Sequence, residues 1–295
     1  MSVYHPSFNF LNKNSYNDFN LIVTHFDADQ GESDTGLGMD PIYSDSVDGT
    51  RRLDYGAKFN SVVKPKITVT KADGTCFTAQ EVRDFLKWTT GHRRNSFLEL
   101  CKWDEQKNEW CPQFRLLGRT TNAYQQKMDA RTIGLIIEFT TVSPFAYSPI
   151  QTIEKTIDGT EDILIQHDTD DIDTMINLNV SFINTSGDAL KIQNKQLGET
   201  TEINNLNKGE VVTLNPNGFI KSNNDTRIFG RDFNYVFPRY GYGADVLTVT
   251  GSGTIVFTYI YYIKIGDCII DIDDCNYGVP CNTVAQNDMS TKALI

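Results

Sequence analysis

Ile133-Gly134-Leu135-Ile136-Ile137-Glu138-Phe139-Thr140-Thr141-Val142-Ser143-Pro144-Phe145-Ala146-Tyr147-Ser148-Pro149 is the stretch that divides this chain. Its first half predicts a sheet strand. Ile133, Leu135, Ile137 and Phe139 fall on one side and Gly134, Ile136 and Glu138 on the other, the period of two expected when one face enters a core. Pro144 and Pro149 then fix φ and remove two backbone donors, so the ladder cannot run on through them. A second set of alternating strands begins near Gln151. The segment therefore reads as the exit from one β-rich half into another.

Working back toward the N-terminus, Thr78 and Glu81 form a capping-box pair, and Val82, Phe85 and Leu86 follow at helical spacing. They predict one short helix over 78–91, with Gly91 as its stop. A hairpin is expected just after it, with Phe97 to Trp103 and Glu109 to Leu117 joined by the polar turn Asp104 to Asn108. Trp103, Trp110 and Phe114 are read as sheet packing. Strands are also expected at Leu21-Ile22-Val23, around Arg51 to Phe59 and around Ser61 to Thr70. From Asp27 to Asp48 the chain is acidic and glycine-rich with almost no apolar period, and reads as a long exposed loop or arm.

Working forward, Ile176, Leu178, Val180 and Phe182 alternate with polar residues, and a turn follows at Asn184 to Gly187. Shorter strands are expected at Leu190 and Ile192 and at Val211, Val212 and Leu214. The longest is expected late: Ile255, Phe257, Tyr259, Tyr261, Ile263 and Ile265 face one way, and Val256, Ile260 and Tyr262 the other. Apolar residues on both faces predict a central, covered strand. Short strands separated by turns every 8–12 residues indicate a sandwich or jelly roll. The fold class is mainly β: a first domain over 1–150 with one covering helix, a β-sandwich over 151–266 and an extension over 267–295.

Composition bounds the function. A chain of 295 residues with 39% hydrophobic and 22% charged residues is long enough for two globular cores. A formal net charge of −11 opposes nucleic-acid binding, which needs a basic face to displace counterions. No apolar run is long enough to predict a membrane-spanning helix. Met1 to Phe10 lacks the basic start and apolar core of a signal peptide, which predicts a chain held in a cytoplasm until it is assembled or exported. Cys76, Cys101, Cys111, Cys268, Cys275 and Cys281 form no CxxC pair and no dense disulfide pattern.

Nothing local predicts catalysis, a cofactor or a metal. His5, His25, His92 and His167 are scattered, and there is no Gly-x-Ser-x-Gly elbow. The acidic stretch Asp267 to Cys275 comes closest to a metal site, but it lacks the glycine and the terminal glutamate of a calcium loop, and with Cys281 it matches no zinc spacing. Gly36-Leu37-Gly38 and Gly241-Tyr242-Gly243 do not open a helix after a strand, so they read as turns rather than phosphate loops. The segment Phe229 to Tyr242, with Arg227, Arg231 and Arg239 among Phe229, Phe233, Tyr235, Phe237, Tyr240 and Tyr242, is open to three readings. It could be a core strand with a polar edge, a protein interface, or a sugar-stacking groove that would make the chain a carbohydrate-binding module.

Taken together, Thr78 to Gly91 (TAQEVRDFLKWTTG) and Gly134 to Ser148 (GLIIEFTTVSPFAYS) resemble the distal tail protein (Dit) family of phages with long, non-contractile tails. In the second half, Phe182 to Asp188 is similar to an early strand and turn of that family's galectin-like sandwich, and Thr254 to Ile263 to its last strand. The loop Arg239 to Gly243 departs from the pattern. The resemblance implies a structural, non-enzymatic virion component at the tail tip, assembled in the host cytoplasm as a ring, usually a hexamer. It implies a tail tube protein, a tail-tip hub or tail-associated lysin protein and a receptor-binding protein as partners. It also implies that the first domain builds the ring while the galectin-like second domain projects outward.

Overall fold

The computed structural model describes residues 7–24, 39–45, 52–59, 62, 64–171, 175–215, 217–241 and 243–264. The chain forms two compact units, one running up to Pro149 and the other from Ile150 to Tyr262. It is mainly β, with three small helices among the described residues.

The first unit contains, in chain order, β1 (Ser7–Phe10), β2 (Lys13–Asn14), α1 (Ser15–Phe19), β3 (Leu21–Val23), β4 (Met39–Asp45), β5 (Arg52–Phe59), β6 (Lys66–Lys71), α2 (Ala79–Thr90), β7 (Ser96–Asp104), β8 (Glu109–Met128), β9 (Arg131–Thr141) and β10 (Ala146–Tyr147). Its main sheet has the order β2-β1-β7-β8-β9-β6-β3. Strands β2 and β3 lie at opposite ends of that order, yet only α1 and Asn20 separate them in sequence. A flat sheet of seven strands would be about 29 Å across, whereas five helical residues advance only about 7.5 Å. The sheet must curl until its edges approach one another.

α1 is fixed locally. The Asn14 side chain accepts hydrogen bonds from the amides of Tyr16 and Asn17 at 2.9 Å each, and Asn20 closes the helix in the left-handed region at φ 54°. α2 is the expected helix. The Glu81 amide donates to Thr78 Oγ1 while the Thr78 amide donates to Glu81 Oε2 at 2.7 Å. Its buried face (Val82, Phe85, Trp88) is held by aromatic contacts. The Trp88 ring stacks on Phe8 at 5.3 Å and Phe19 at 4.4 Å, and its Nε1–H donates to the Phe10 carbonyl at 2.8 Å.

The β7–β8 hairpin and the β9 strand form where expected, with two differences. β8 runs eleven residues beyond Leu117, to Met128. The alternation of β9 holds from Leu135 onward, but Ile133 is only half-buried. Gln126 pairs with Gly134 and Lys127 with Thr132, leaving Ile133 as the extra residue of a β-bulge. β9 ends at Thr141, before the first proline.

The acidic arm requires a correction. Within Asp27–Asp48, residues 39–45 are strand β4, paired with β5 in a two-stranded hairpin. Its apolar residues have no period because the pairing slips between Pro41 and Tyr43 and every described side chain of β4 is exposed. The remainder of that arm lies outside the described residues.

The second unit contains β11 (Gln151–Gln166), β12 (Ile176–Asn177), β13 (Asn179–Asn184), β14 (Leu190–Asn194), β15 (Glu199–Ile203), β16 (Val211–Asn215), β17 (Phe219–Ser222), α3 (Phe229–Asp232), β18 (Arg239–Tyr240) and β19 (Ala244–Tyr259). β19 is central, but it starts and stops earlier than expected. It covers 244–259, so Tyr261 and Ile263 are not part of it, and Ile265 lies outside the described residues. Nor is it covered on both faces: Val246 is exposed, and Val256 and Thr258 are half-buried.

β11 pairs with β19 along its whole length, from Gln151↔Tyr259 to Gln166↔Ala244. β14 and β13 must therefore share the other edge of β19, the first at 247–250 and the second at 253–258. Beyond them the sheet divides, into β15 on one branch and β16 and β17 on the other. Glycine sits at the fork for a packing reason. A Cβ on Gly253 would lie 2.1 Å from the Ile183 carbonyl oxygen and 2.9 Å from the Phe182 ring.

Candidate assembly surfaces

Among the described residues, those singled out from the sequence do not come together as a reaction centre. His92 is exposed and His167 is buried in the second unit; His5 and His25 lie outside the described residues, as do Gly36 to Gly38, Cys268, Cys275, Cys281 and the acidic stretch from Asp267. Cys101 and Cys111 are buried in β7 and β8, and Cys76 is half-buried. Among the described residues no group of three or more His, Cys, Asp or Glu side chains could hold a metal ion, and no helix is long and apolar enough to cross a membrane.

Over its described residues the Phe229–Tyr242 segment is not a core strand. It is the short helix α3, an irregular stretch and the two-residue strand β18. Tyr240 is completely buried, with its ring 4.4 Å from His167 and 5.4 Å from Tyr259, and cannot stack on a sugar. Burial raises the pKa of the Tyr240 phenol well above its ordinary value and pushes Tyr259 up to about 12. Tyr242 lies outside the described residues. Tyr235 is exposed.

The arginines have separate structural roles. Arg227 is buried between two carboxylates: Nε and Nη2 donate to Glu210 at 2.6 and 2.5 Å, and Nη1 donates to Asp232 at 3.2 Å. It also donates to the carbonyls of Asn204 and Asn205. Burial alone would raise the Glu210 pKa, but the hydrogen bonds from Arg227, the Asn207 amide and Ser222 outweigh it and hold the group at about 2. Asp232 is held at about 2, first by Arg231 and then by Asn205. Arg239 pairs with Glu199. The triad ties the start of β16 to α3. Sequence reading missed it because Glu210, Arg227 and Asp232 are separated by 17 and 5 residues and match no local pattern.

A second buried polar group lies elsewhere in the same unit. Asp245 accepts from Asn194 Nδ2 at 2.6 Å. His167 is buried beside it in the second unit, with neither ring nitrogen in hydrogen-bond geometry with a protein partner. Burial is the main cause of its lowered pKa, opposed by the Gly241 backbone and the Asp245 and Asp168 carboxylates.

What the first unit presents is open sheet edge. β7 occupies one edge of β8 only as far as Gly118, while β9 follows the opposite edge from Gly118 to Met128. Beyond Gly118, therefore, no strand among the described residues pairs with the first edge. Tyr124 and Met128 are exposed there. No strand among the described residues pairs with the outer edges of the β4–β5 hairpin. Phe59, at its base, packs edge-on against Phe145 at 4.8 Å, while Met39, Ile42, Tyr43 and Tyr55 are exposed. A cavity of about 540 Å³ beside β1 and β2, lined by Asn9, Lys13, Asp18, Glu99 and Arg115 among others, is crossed by the Arg115–Glu99 ion pair at 3.0 Å.

Two family models match in tandem: a phage tail protein N-terminal domain over residues 4–143 and a phage tail C-terminal domain over residues 145–259. The chain belongs to the phage tail proteins. Their boundary falls within the Ser143–Pro149 exit. The Dit protein of phage SPP1 (gp 19.1), described as a paradigm of the hub adsorption apparatus of phages infecting Gram-positive hosts, shares the fold. It is 11% identical with a TM-score of 0.55, over 88% of this chain and 100% of that one. A chain of the phage p2 baseplate, activated with strontium, aligns over 90% of this chain and 100% of its own at 10% identity and a TM-score of 0.47. No curated protein matches the sequence. The tail protein therefore has a Dit-like, mainly β fold.

Proposed function

We propose that this tail protein is a non-enzymatic structural ring at the tail tip, joining the tail tube to the hub and the receptor-binding apparatus. The observation that carries this reading is the tandem match of the two phage tail domains on a Dit-like fold. The first unit adds physical support. Its sheet has unpaired edges and a hairpin with exposed apolar side chains, and a closed ring of copies would cover both. In this reading residues 1–150 build the ring and contact the tube and hub. Residues 151–266 form an outward, galectin-like sandwich that supports a receptor-binding protein, and residues 267–295 are an extension. The ring is a homohexamer, assembled in the host cytoplasm and carried in the virion.

Light scattering on the purified chain, with negative-stain images of the same sample, tests the reading. The expected result is close to six times the 33.3 kDa chain mass with ring-shaped particles. A protein that stays monomeric at high concentration and with its tube and hub neighbours added overturns it.

A further inference from the structure

We propose that the cavity beside β1 and β7 is a carboxylate pocket, where the Arg115 guanidinium takes an acidic side chain of another tail-tip protein. This rests on the tail-tip reading above and gives that adaptor the chemistry of one partner.

The first observation is a polar row laid across the sheet. Asn14, Asn9, Glu99 and Arg115 stand opposite one another on β2, β1, β7 and β8, so they share one face. Their hydrogen bonds converge on Glu99. Asn14 Nδ2 donates to Asn9 Oδ1 at 2.7 Å, and Asn9 Nδ2 donates to Glu99 Oε2 at 3.2 Å. Arg115 Nε donates to Glu99 Oε1 at 3.0 Å. Both Glu99 oxygens are therefore engaged, and the guanidinium is gripped at its Nε edge.

The second observation is what that grip leaves over. Among the described residues no group accepts from Arg115 Nη1 or Nη2. Yet the side chain is only 12% exposed, and its Cζ lies 4.1 Å from the centre of the Phe97 ring. Arg115 and Phe97 both line the cavity of about 540 Å³. A guanidinium fixed at one edge and one face, with its two-nitrogen end unused, is preorganised for a bidentate carboxylate.

The third observation selects the ligand. Glu99 and Asp18 also line the cavity, and they repel a doubly charged phosphate more strongly than a carboxylate. The cavity is much larger than one carboxylate, and Asn12 and Ser96 in its lining can hydrogen-bond a peptide backbone. More cations lie alongside. Ser96 pairs with Gly118, next to Arg119, and Arg119 Nη1 donates to the Arg93 carbonyl at 3.5 Å. Arg119 is four residues along β8 from Arg115 and so on the same face, and both Arg93 and Arg119 are exposed. Charge complementarity thus favours an acidic segment of a neighbouring chain.

Isothermal titration of the full chain with a capped Glu-Gly-Glu peptide, and with its Gln-Gly-Gln counterpart, is the test. The acidic peptide should bind, and the neutral one about tenfold more weakly, the worth of a charge-assisted hydrogen bond. Arg115→Gln and Arg115→Lys should each weaken the acidic peptide about tenfold, because lysine can keep the pair with Glu99 but has no fork. Arg93→Gln/Arg119→Gln should weaken it about threefold and flatten its salt dependence. Equal binding of both peptides, no binding of the acidic one, or full affinity in either Arg115 variant overturns the pocket. Inorganic phosphate that binds more tightly than the peptide overturns the choice of a carboxylate. Binding by the dilute monomer that ceases in the ring makes a second copy the occupant and overturns a separate partner. Where the Arg115 variants lose their fold, the exposed pair decides, and unchanged affinity there overturns the site. Light scattering on the same samples separates the two readings. A ring that does not bind the peptide removes only the pocket. A chain that binds it but stays monomeric with its tube and hub neighbours removes only the ring.

Discussion

The two units solve the same problem, closing a β-sheet, with different chemistry. Around Trp88 the first unit uses stacked rings from α2, β1 and α1, apolar contacts that depend little on salt or pH. The second unit closes its fork with charge, as Arg227 sits between Glu210 and Asp232. Their edges differ as well. The outer strand of the second unit, β11, carries Glu154, Lys155, Asp158, Glu161 and Asp162, a charged rim that resists strand addition. The part of β8 beyond Gly118 carries only Arg119 and Lys127 in ten residues.

This contrast can be broken by experiments that read each unit separately. All three tryptophans (Trp88, Trp103, Trp110) precede Pro149, so tryptophan fluorescence follows the first unit alone, while far-ultraviolet circular dichroism follows both. The largest effect is expected from Trp88→Ala, which removes the stacking on Phe8 and Phe19 and the hydrogen bond to Phe10. The first unit should lose about 4 kcal/mol in denaturant unfolding, with the dichroism transition of the second unit unmoved. A shift of both transitions together would show that the units do not unfold independently.

Next is Arg227→Met. It leaves two buried carboxylates without their cation and should cost the second unit about 3 kcal/mol, while the fluorescence transition stays in place. The same triad gives a pH test. Glu210 and Asp232 have folded pKa values of about 2 against ordinary values of 4.5 and 3.8. Their stabilisation is present above those ordinary values and is lost as pH falls toward about 2. Glu81 is also held at about 2, first by the Thr78 amide and then by Lys71, but it is exposed and well screened. Acid should therefore open the second unit before the first.

Gly253→Ala should cost about 2 kcal/mol, because its Cβ would meet the Ile183 carbonyl and force the ladder to β13 to shift. A neutral outcome would mean that the fork is looser than the packing indicates. The smallest effect belongs to His167. Its folded pKa is below the ordinary 6.5, so the neutral ring is favoured and its stabilisation is complete above that value. It is lost as pH falls below 6.5, where the unfolded state binds the proton first. Replacement by Phe should remove that step from the pH profile of the second unit.

Elements set by short-range chemistry were legible. Thr78 and Glu81 lie within one turn, so the helix cap could be read directly, and Pro144 and Pro149 ended the strand for reasons internal to the backbone. β11 was missed because Lys155 and Gly159 interrupt the apolar period of Ile153, Ile157, Ile163 and Ile165. Its sixteen residues are a strand because β19 provides a partner for each of them. β4 was read as loop because its side chains are exposed, and an exposed hairpin leaves no alternating pattern. Tyr240 was open to core, interface and stacking readings, and only its burial shows that it is core.

The sequence by itself determined the division near Ser143–Pro149, the mainly β character and the capped helix, since each depends on contacts within a few residues. Only the tertiary structure decided which edge of β8 stays open, which arginine is buried and which tyrosine is core. Those outcomes depend on residues tens of positions apart arriving at the same place, and no local period records that meeting.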